Sequence, residues 1–514
     1  MAALLPLACL VACTDSSDEG RYAEPGSVGT LPDAARKIMN KPAYETARWL
    51  YYVADQETGE VLLANRPNEL VFTGSTAKEF TVGTVYDAIG PDTKLTTPVY
   101  STVPPENDVL RGNLVLVASG DFALGGRGAT QGRVDHSFDA DSIDHVYGNI
   151  APNAKKVDDD PLAGLDDLAK QVAAKGIKHV EGDVVIDTRI WDAYQGQEGP
   201  VPPIFVNDNI LDIEVSSSGE VKTTPATSAF TVQSKVTAGD SGALTAALDP
   251  ANPRNIVVSG TVEKGKSQLT IFRVPNAAEW ARTLFIEALG RAGVTVTAPA
   301  LAPNIEAGLP GSFPSDRKVA SLESPPMKAF GTMVLETSYN TGANAMLCLL
   351  AAKSGSKDCT DGLKSIRSAI DKSGITSDQV ILVDGQGADP ASSTPRQLSG
   401  WVTWAAAQSW GADFVAGQPK LGETGSLASV GADGPAKGKI AAKTGTSAAV
   451  DPVTERALFN VQSLSGYMTT DKGRKLVFGL SMSGGTYSDV LTGLEDAGED
   501  VAGVAAAFQQ ALSK

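Results

Sequence analysis

The sequence is poor in histidine and cysteine, with three histidines and four cysteines among 514 residues. A Ser-His-Asp hydrolase needs a histidine base beside its serine. None of His136, His145 and His179 lies in the serine-containing motifs described below, which nearly excludes that class. Structural zinc sites use four cysteine or histidine ligands, so the sequence predicts no structural metal and no cofactor. The segment "DHSFDADSIDH" at 135–145 could bind a cation, but we interpret it as a solvated loop.

Positive charge is also scarce, since 43 lysines and arginines stand against 60 acidic residues for a net charge of -17. Such a chain is repelled by nucleic-acid phosphates and anionic lipid headgroups, so we expect no nucleic-acid partner. The hydrophobic share of 42% is ordinary for a soluble globular protein. Because one hydrophobic core stops growing at about 250 residues, the length predicts two or three domains.

No long hydrophobic run is present near the start, where "MAALLPLACLVAC" is shorter than the roughly 20 apolar residues of a membrane span. We interpret residues 1–13 as an export signal. Leu10-Val11-Ala12-Cys13 resembles a bacterial lipobox, whose cysteine becomes the lipid-modified first residue. We therefore expect an exported protein of the periplasm or cell envelope, lipid-anchored at Cys13, with 14–31 as a polar linker. Plain secretion is the alternative.

Two cysteines lie outside that segment, Cys348 and Cys359. In an oxidising envelope they are candidates for a disulfide. A buried thiol on an apolar helix explains Cys348 equally well.

Hydrophobic patterning indicates a mixed fold with an insertion. Two strands joined by a turn precede a helix over 75–89, and after residue 326 helices are followed by a hairpin and a last helix. Helices beside an antiparallel sheet make an α+β domain. Between about 100 and 315, short strands and turns dominate, which indicates inserted units with their own cores.

The stretch "VFTGSTAKEF" at 71–80 places Ser75 and Lys78 three residues apart, on one face of a helix. Serine is a weak nucleophile, and a charged lysine is a poor base unless burial or a second cation lowers its pKa. A helix N-cap is the other common role for such a serine.

Two later motifs supply further groups that a serine and lysine of this kind need for catalysis. Ser338-Tyr339-Asn340 joins two helices and offers a hydroxyl for proton relay and an amide for a substrate peptide. Lys443-Thr444-Gly445-Thr446 reads as an edge strand that offers a cation and hydroxyls for a carboxylate, with glycine letting substrate lie close. The Ser-x-x-Lys pattern also occurs at 315–318 and 354–357. We select the motif at 75–78 because its order relative to the other two motifs, and the predicted secondary structure around all three, agree.

In this order the motifs resemble those of the low-molecular-mass class C penicillin-binding proteins, the D-alanyl-D-alanine carboxypeptidase and endopeptidase family of serine peptidases. "GNLVLVASGDFAL" and "VDGQGADPASSTPRQL" extend the resemblance over about residues 40–510. It implies an α+β catalytic domain like that of penicillin-binding proteins and serine β-lactamases, over 32–100 and 318–514. Two mainly-β domains are then inserted, one over 101–198 and 270–317 and the other over 199–269.

The resemblance also implies residue roles. Neutral Lys78 takes the proton of Ser75, which attacks the D-Ala-D-Ala carbonyl, and Ser338 passes a proton to the leaving amine. Backbone N–H groups of Ser75 and Thr446 form the oxyanion hole. The residues implied to bind substrate are Asn340, Lys443, Thr444, Gly445 and Thr446.

The implied partners are peptidoglycan stem peptides and β-lactam antibiotics, which imitate them. Carboxypeptidase and endopeptidase activity remain alternatives, because both proceed through the same serine. A main β-lactamase activity is disfavoured, since Glu423 is the only glutamate between Asn340 and Lys443 and lacks the context of a deacylating residue. A catalytically inactive peptidoglycan-binding scaffold of the same fold is the second class of function.

Overall fold

The computed structural model describes residues 27–128, 134–139 and 141–514. The predicted signal, with Cys13, and most of the predicted linker lie outside the described residues. Within those ranges no helix has both the length and the apolar character needed to cross a bilayer.

Helices are numbered in chain order. They are α1 (Asp33–Met39), α2 (Lys78–Ala88), α3 (Ala163–Ala174), α4 (Ala277–Arg291), α5 (Met327–Glu336), α6 (Asn340–Lys353), α7 (Gly362–Ser373), α8 (Pro395–Ala406), α9 (Gly411–Ala416) and α10 (Val490–Leu512).

Strands are numbered in the same way. They are β1 (Arg48–Asp55), β2 (Val61–Asn65), β3 (Val71–Phe72), β4 (Lys94–Ser101), β5 (Val109–Leu110), β6 (Leu114–Val117), β7 (Ile143–Asp144), β8 (Ala154–Lys155), β9 (His179–Val180), β10 (Val184–Asp187), β11 (Gln195–Gly196), β12 (Gly199–Pro200), β13 (Ile210–Ser216), β14 (Val221–Thr224), β15 (Thr231–Gly239), β16 (Ala243–Asp249), β17 (Asn252–Glu263), β18 (Ser267–Arg273), β19 (Thr295–Val296), β20 (Lys318–Pro326), β21 (Ser392–Ser393), β22 (Ile440–Val450), β23 (Ala457–Thr469), β24 (Lys475–Ser483) and β25 (Gly485–Tyr487).

An antiparallel sheet organises the first and last parts of the chain, with strand order β2-β1-β24-β23-β22 and β25 beside β23. Alternation along β24 sends Phe478 and Leu480 to the face covered by α10 and Val477 to the face covered by α8. Gly479 permits α8 to approach, because an added Cβ would lie 2.5 Å from the Pro395 carbonyl oxygen. The sheet therefore has a helical layer on each face.

Helix α2 is buried on every side, since residues 78–86 are all inaccessible to solvent. It packs against α5, α6, α7 and α8. A helix surrounded in this way needs no polar face. A disulfide between Cys348 and Cys359, with the Cα atoms 4.2 Å apart, ties α6 to the turn that precedes α7.

The insertion contains its own sheets. β10, β6, β4 and β20 form a four-stranded sheet beside α3 and α4, and the sheets β14-β13-β18 and β15-β17-β16 lie further along the chain. The predicted boundary at 100/101 falls within β4, and the one at 317/318 coincides with the start of β20. These two boundaries divide the four-stranded sheet, because β4 pairs with β6 as well as with β20.

The expectation of a solvated loop at 135–145 is wrong for its C-terminal end. His145 is fully buried, with ring nitrogens 2.7 Å from an Asp212 oxygen and 3.0 Å from an Asp208 oxygen. Arg127 joins the same cluster through Asp144 at 2.9 Å. Burial opposes the charge of His145, but the aspartates outweigh it and raise its pKa to about 10. The opposite charges of these buried side chains therefore compensate one another inside the insertion.

Candidate active site

Ser75 lies in a 3₁₀ turn, Gly74–Ala77, that leads directly into α2. No side chain caps α2 or this turn, so Ser75 is not an N-cap. Gly74 has φ +49°, and a Cβ added to it would meet the Thr446 backbone nitrogen at 2.5 Å. The turn thus packs tightly on β22, which brings the Ser75 backbone to that of Thr446, the other predicted oxyanion donor.

The Lys78 side chain is fully buried, and its Nζ has three neighbours: Ser75 Oγ at 2.7 Å, Asn340 Oδ1 at 2.6 Å and the Gln386 carbonyl oxygen at 3.0 Å. The last two atoms can only accept hydrogen bonds. A neutral amine has two N–H groups for them and one lone pair for the hydroxyl of Ser75. The arrangement therefore suits a neutral Lys78 acting as base.

Electrostatics agree with that protonation state. Burial lowers the pKa of Lys78 to about 7, against the opposing influence of Asp384 and Glu198. Near neutral pH a large fraction of this lysine is consequently unprotonated and able to accept a proton.

Lys443 is also fully buried, on β22, and its Nζ donates to Ser338 Oγ at 2.9 Å and to the Thr444 carbonyl oxygen at 2.8 Å. Ser338 has φ +59°, a conformation that non-glycine residues rarely adopt. Tyr147, from the insertion, donates its hydroxyl to the carbonyls of Thr337 and Ser338, at 2.9 Å each. This contact stabilises the bend that directs Ser338 toward Lys443.

The two hydroxyls of the edge-strand motif are held by neighbours. Thr444 Oγ1 is 2.8 Å from Ser426 Oγ, and Thr446 Oγ1 donates to Gln462 Oε1 at 2.7 Å. A Cβ on Gly445 would lie 2.2 Å from the Thr73 carbonyl oxygen. Glycine at this position therefore lets the nucleophile turn pack against β22, a reason for Gly445 that the sequence interpretation missed.

The predicted catalytic and substrate-binding residues meet at one place. Ser75, Lys78 and Asn340 form one hydrogen-bonded group, and Ser338 and Lys443 form a second. The groups are adjacent because Ser338 and Asn340 belong to the same tripeptide.

The sequence interpretation missed a hairpin of the insertion, β11–β12, that reaches this site. Glu198 Oε1 accepts from Asn340 Nδ2 at 2.5 Å, and Gln197 Oε1 accepts from Gln386 Nε2 at 2.9 Å. Arg273 lies 3.3 Å from the other Glu198 oxygen. No motif marked these residues, since their proximity to the site arises only when the insertion folds over it.

A second missed element was present in a segment quoted only for its resemblance, "VDGQGADP". Asp384 Oδ1 accepts from the backbone N–H groups of Gln386, Gly387 and Ala388, at 3.1, 2.8 and 3.2 Å. This turn presents the Gln386 carbonyl to Lys78. An aspartate followed by alternating glycines was the available signal.

The site contains a serine just before a buried helix, a lysine one turn later that is hydrogen-bonded to this serine, and a second lysine on the edge strand of the sheet. This arrangement defines a class of protein, the serine acyl-transfer enzymes with the penicillin-binding and β-lactamase fold. The particular family follows from comparison. The model of the D-Ala-D-Ala carboxypeptidase 3 (S13) family matches residues 32–502, and the chain belongs to that family. It is a serine-type D-Ala-D-Ala carboxypeptidase, as the sequence predicted.

Known relatives agree with this assignment. A D-alanyl-D-alanine carboxypeptidase from Actinomadura sp. (strain R39) is 25% identical over 516 residues, covering 94% of this chain and 85% of its own. Penicillin-binding protein 4 from Haemophilus influenzae superposes with a TM-score of 0.68 at 18% identity, over 91% of this chain and 97% of that one. The structure of the same protein complexed with a novel β-lactam superposes with a TM-score of 0.67 at 18% identity, over 93% of this chain and 99% of that one. The predicted α+β fold is confirmed.

Proposed function

We propose that the chain trims the terminal D-alanine from peptidoglycan stem peptides through an acyl-enzyme on Ser75. The observation that carries the proposal is the environment of Lys78 Nζ, with two acceptor-only neighbours and the hydroxyl of Ser75. A base already in hydrogen-bond contact with its nucleophile needs no rearrangement before attack.

In the proposed acylation step, Lys78 takes the Ser75 proton while Oγ attacks the carbonyl carbon of the penultimate D-alanine. The resulting oxyanion accepts hydrogen bonds from the backbone N–H groups of Ser75 and Thr446. Its collapse breaks the peptide C–N bond, and the proton that Lys78 accepted passes through Ser338 to the leaving amine. In the second step neutral Lys78 takes a proton from the water that attacks the ester, and it returns that proton to Ser75 Oγ as the ester C–O bond breaks.

Substrate recognition is assigned to the edge strand and the tripeptide motif. The terminal carboxylate would pair with Lys443 and accept from the hydroxyl of Thr444. The Thr446 hydroxyl would join them by turning from Gln462 to the carboxylate, and Asn340 would bind the peptide amide. Charge-assisted bonds of this kind are about twice as strong as neutral ones. β-Lactams carry a carboxylate beside a reactive amide, so we infer that they acylate the same serine.

Intact-mass spectrometry with benzylpenicillin, followed by peptide mapping, tests the proposal. We expect one covalent adduct, on the peptide that contains Ser75, and none in Ser75→Ala. Release of D-alanine from a synthetic D-Ala-D-Ala peptide should disappear in the same variant. An unlabelled parent enzyme that also leaves the peptide intact would instead favour the inactive scaffold.

A pH prediction follows from Glu198, whose negative charge raises the pKa of Lys78. Glu198→Gln keeps an oxygen for Asn340 but removes the charge, so the pKa of Lys78 falls. Because Lys78 works in its neutral form, the acidic limb of kcat/KM should move to lower pH. Glu220→Gln, on an exposed turn of the insertion, removes the same charge elsewhere and should leave the profile in place.

We also propose export to the cell envelope with a lipid anchor at Cys13, on the strength of the lipobox resemblance. Metabolic labelling with a tagged fatty acid tests it. A Cys13→Ser variant that labels as strongly as the parent would contradict the anchor.

A further inference from the structure

Ser338 occupies the short junction between α5, which ends at Glu336, and α6, which begins at Asn340. Its φ of +59° lies in the left-handed region, where a Cβ crowds the backbone. The hydroxyl accepts from Lys443 Nζ at 2.9 Å only while this bend is kept. The position of the proposed proton relay therefore depends on whatever holds the junction in place.

The insertion makes two contacts with this junction. Tyr147 directs its one hydroxyl proton at two carbonyl oxygens, those of Thr337 and Ser338, at 2.9 Å each. His136 Nε2 lies 2.7 Å from Oε2 of Glu336, two residues before Ser338. The side chains of His136 and Glu336 are only 11% and 16% exposed, so little water competes for this contact.

The residue that reaches the junction is itself held by the buried charge cluster of the insertion. Tyr147 ends a 3₁₀ turn, His145–Tyr147, and Asp144 caps that turn by accepting from the Val146 backbone N–H at 3.2 Å. Arg273 donates to the Val146 carbonyl oxygen at 2.6 Å. The cluster thus fixes the turn from which Tyr147 extends to the catalytic domain.

We propose that Tyr147 and His136 are positioning residues of the catalytic centre, a clamp by which the insertion holds Ser338 where it passes a proton to the leaving amine. The inference rests on the proposed function in giving Ser338 that proton transfer. Both side chains act through the junction rather than on the substrate. The inserted domain is then a working part of the active site and not only an appended unit.

The clamp should be needed most when the leaving group cannot depart without a proton. The nitrogen of an amide must be protonated as its C–N bond breaks. The sulfur of a thioester leaves as a thiolate, which takes the electron pair of the broken C–S bond and needs no proton at that moment. A misplaced Ser338 should therefore slow amide cleavage and largely spare thioester cleavage.

The test compares two substrates with the same acyl group on the full chain: a synthetic peptide ending in D-Ala-D-Ala, and the thioester in which thioglycolate replaces the last D-alanine. The measured quantity is kcat/KM, which covers the steps through acylation of Ser75. Tyr147→Phe keeps the ring and removes the hydroxyl. We expect its kcat/KM to fall by about tenfold or more on the peptide and by less than about threefold on the thioester.

His136→Leu removes the second contact and should change the ratio of the two values in the same direction, which keeps the test available if Tyr147→Phe does not fold. Tyr467→Phe is the matched control. The Tyr467 hydroxyl donates to the Val402 carbonyl oxygen at 2.8 Å, where β23 meets α8. Its loss removes a bond of the same kind away from the junction, so it should lower the melting temperature without changing the ratio.

Unchanged values, or equal losses on both substrates, in folded Tyr147→Phe and His136→Leu would overturn the inference and leave the two contacts a structural role. Ser338→Ala separates that result from a failure of the proposed function. It should show the peptide-specific loss in full. If Ser338→Ala instead lost the same activity on both substrates, Ser338 would not supply the proton, whatever Tyr147 does.

Discussion

Lys78→Met is expected to lower the rate of Ser75 acylation by about 10³-fold or more. Methionine has a similar length but can neither accept the hydroxyl proton nor occupy the three-way contact with Ser75, Asn340 and the Gln386 carbonyl. Without a base, Ser75 keeps its proton and remains a weak nucleophile. The measurement is the time course of the benzylpenicillin adduct by intact-mass spectrometry, with the melting temperature as the check on folding.

The matched variant is Lys443→Met, which removes the other buried lysine of the site. It should act mainly on capture, raising KM for D-Ala-D-Ala peptides by roughly 10- to 100-fold, because a charge-assisted bond to the carboxylate is lost. The effect on saturated acylation should be smaller than that of Lys78→Met. Equal acylation rates in both variants and the parent would contradict these roles.

Arg127→Leu is expected to destabilise the protein by about 3–5 kcal/mol, the usual cost of removing one partner from a buried ion network. Its guanidinium contacts Asp144 at 2.9 Å and Asp208 at 2.7 Å, and all three side chains are almost inaccessible to solvent. Without it, buried aspartates face one another with His145 as their remaining cation. Chemical denaturation followed by circular dichroism gives the free energy of unfolding.

Arg111→Leu is the control for that prediction. Arg111 pairs with Glu181 at 2.7 Å, but its side chain is 60% exposed. Pairs in such positions contribute about 0–1 kcal/mol. If both arginine variants lost the same small amount of stability, the Arg127 cluster would not be a stabilising element of the insertion.

Much of the catalytic domain could be predicted because its signals are local. The Ser75–Lys78 contact follows from helical spacing, and the strands on each side of Asp471-Lys472-Gly473 follow from alternation around a turn. From the sequence we could infer that Lys78 must be neutral to act as a base. The physical cause of this neutral state, the complete burial of the Lys78 side chain beside Asn340 and Gln386, depends on segments distant along the chain.

The errors and omissions have a common origin in long-range contacts. The polar segment ending at His145 looked solvated, because the residues that neutralise its charges are scattered through the insertion: Arg127 lies beside Asp144, and Asp208 and Asp212 lie beside His145. Glu198 meets Asn340 across 142 positions of sequence. A charged residue in a turn is usually a surface residue. The sequence around Glu198 contains no feature that distinguishes it from such a residue, although the folded insertion brings it to the catalytic centre.

By itself the sequence determined which chemistry is present: a serine with a lysine one turn away, a tripeptide with a hydroxyl and an amide, and a cationic edge strand, in an order that resembles one family. Tertiary structure alone decided how that chemistry is tuned. Desolvation and charge act through distance and burial, quantities that spacing along a chain does not specify. The neutral state favoured for Lys78 and the place of Glu198 beside Asn340 both depend on segments meeting in three dimensions.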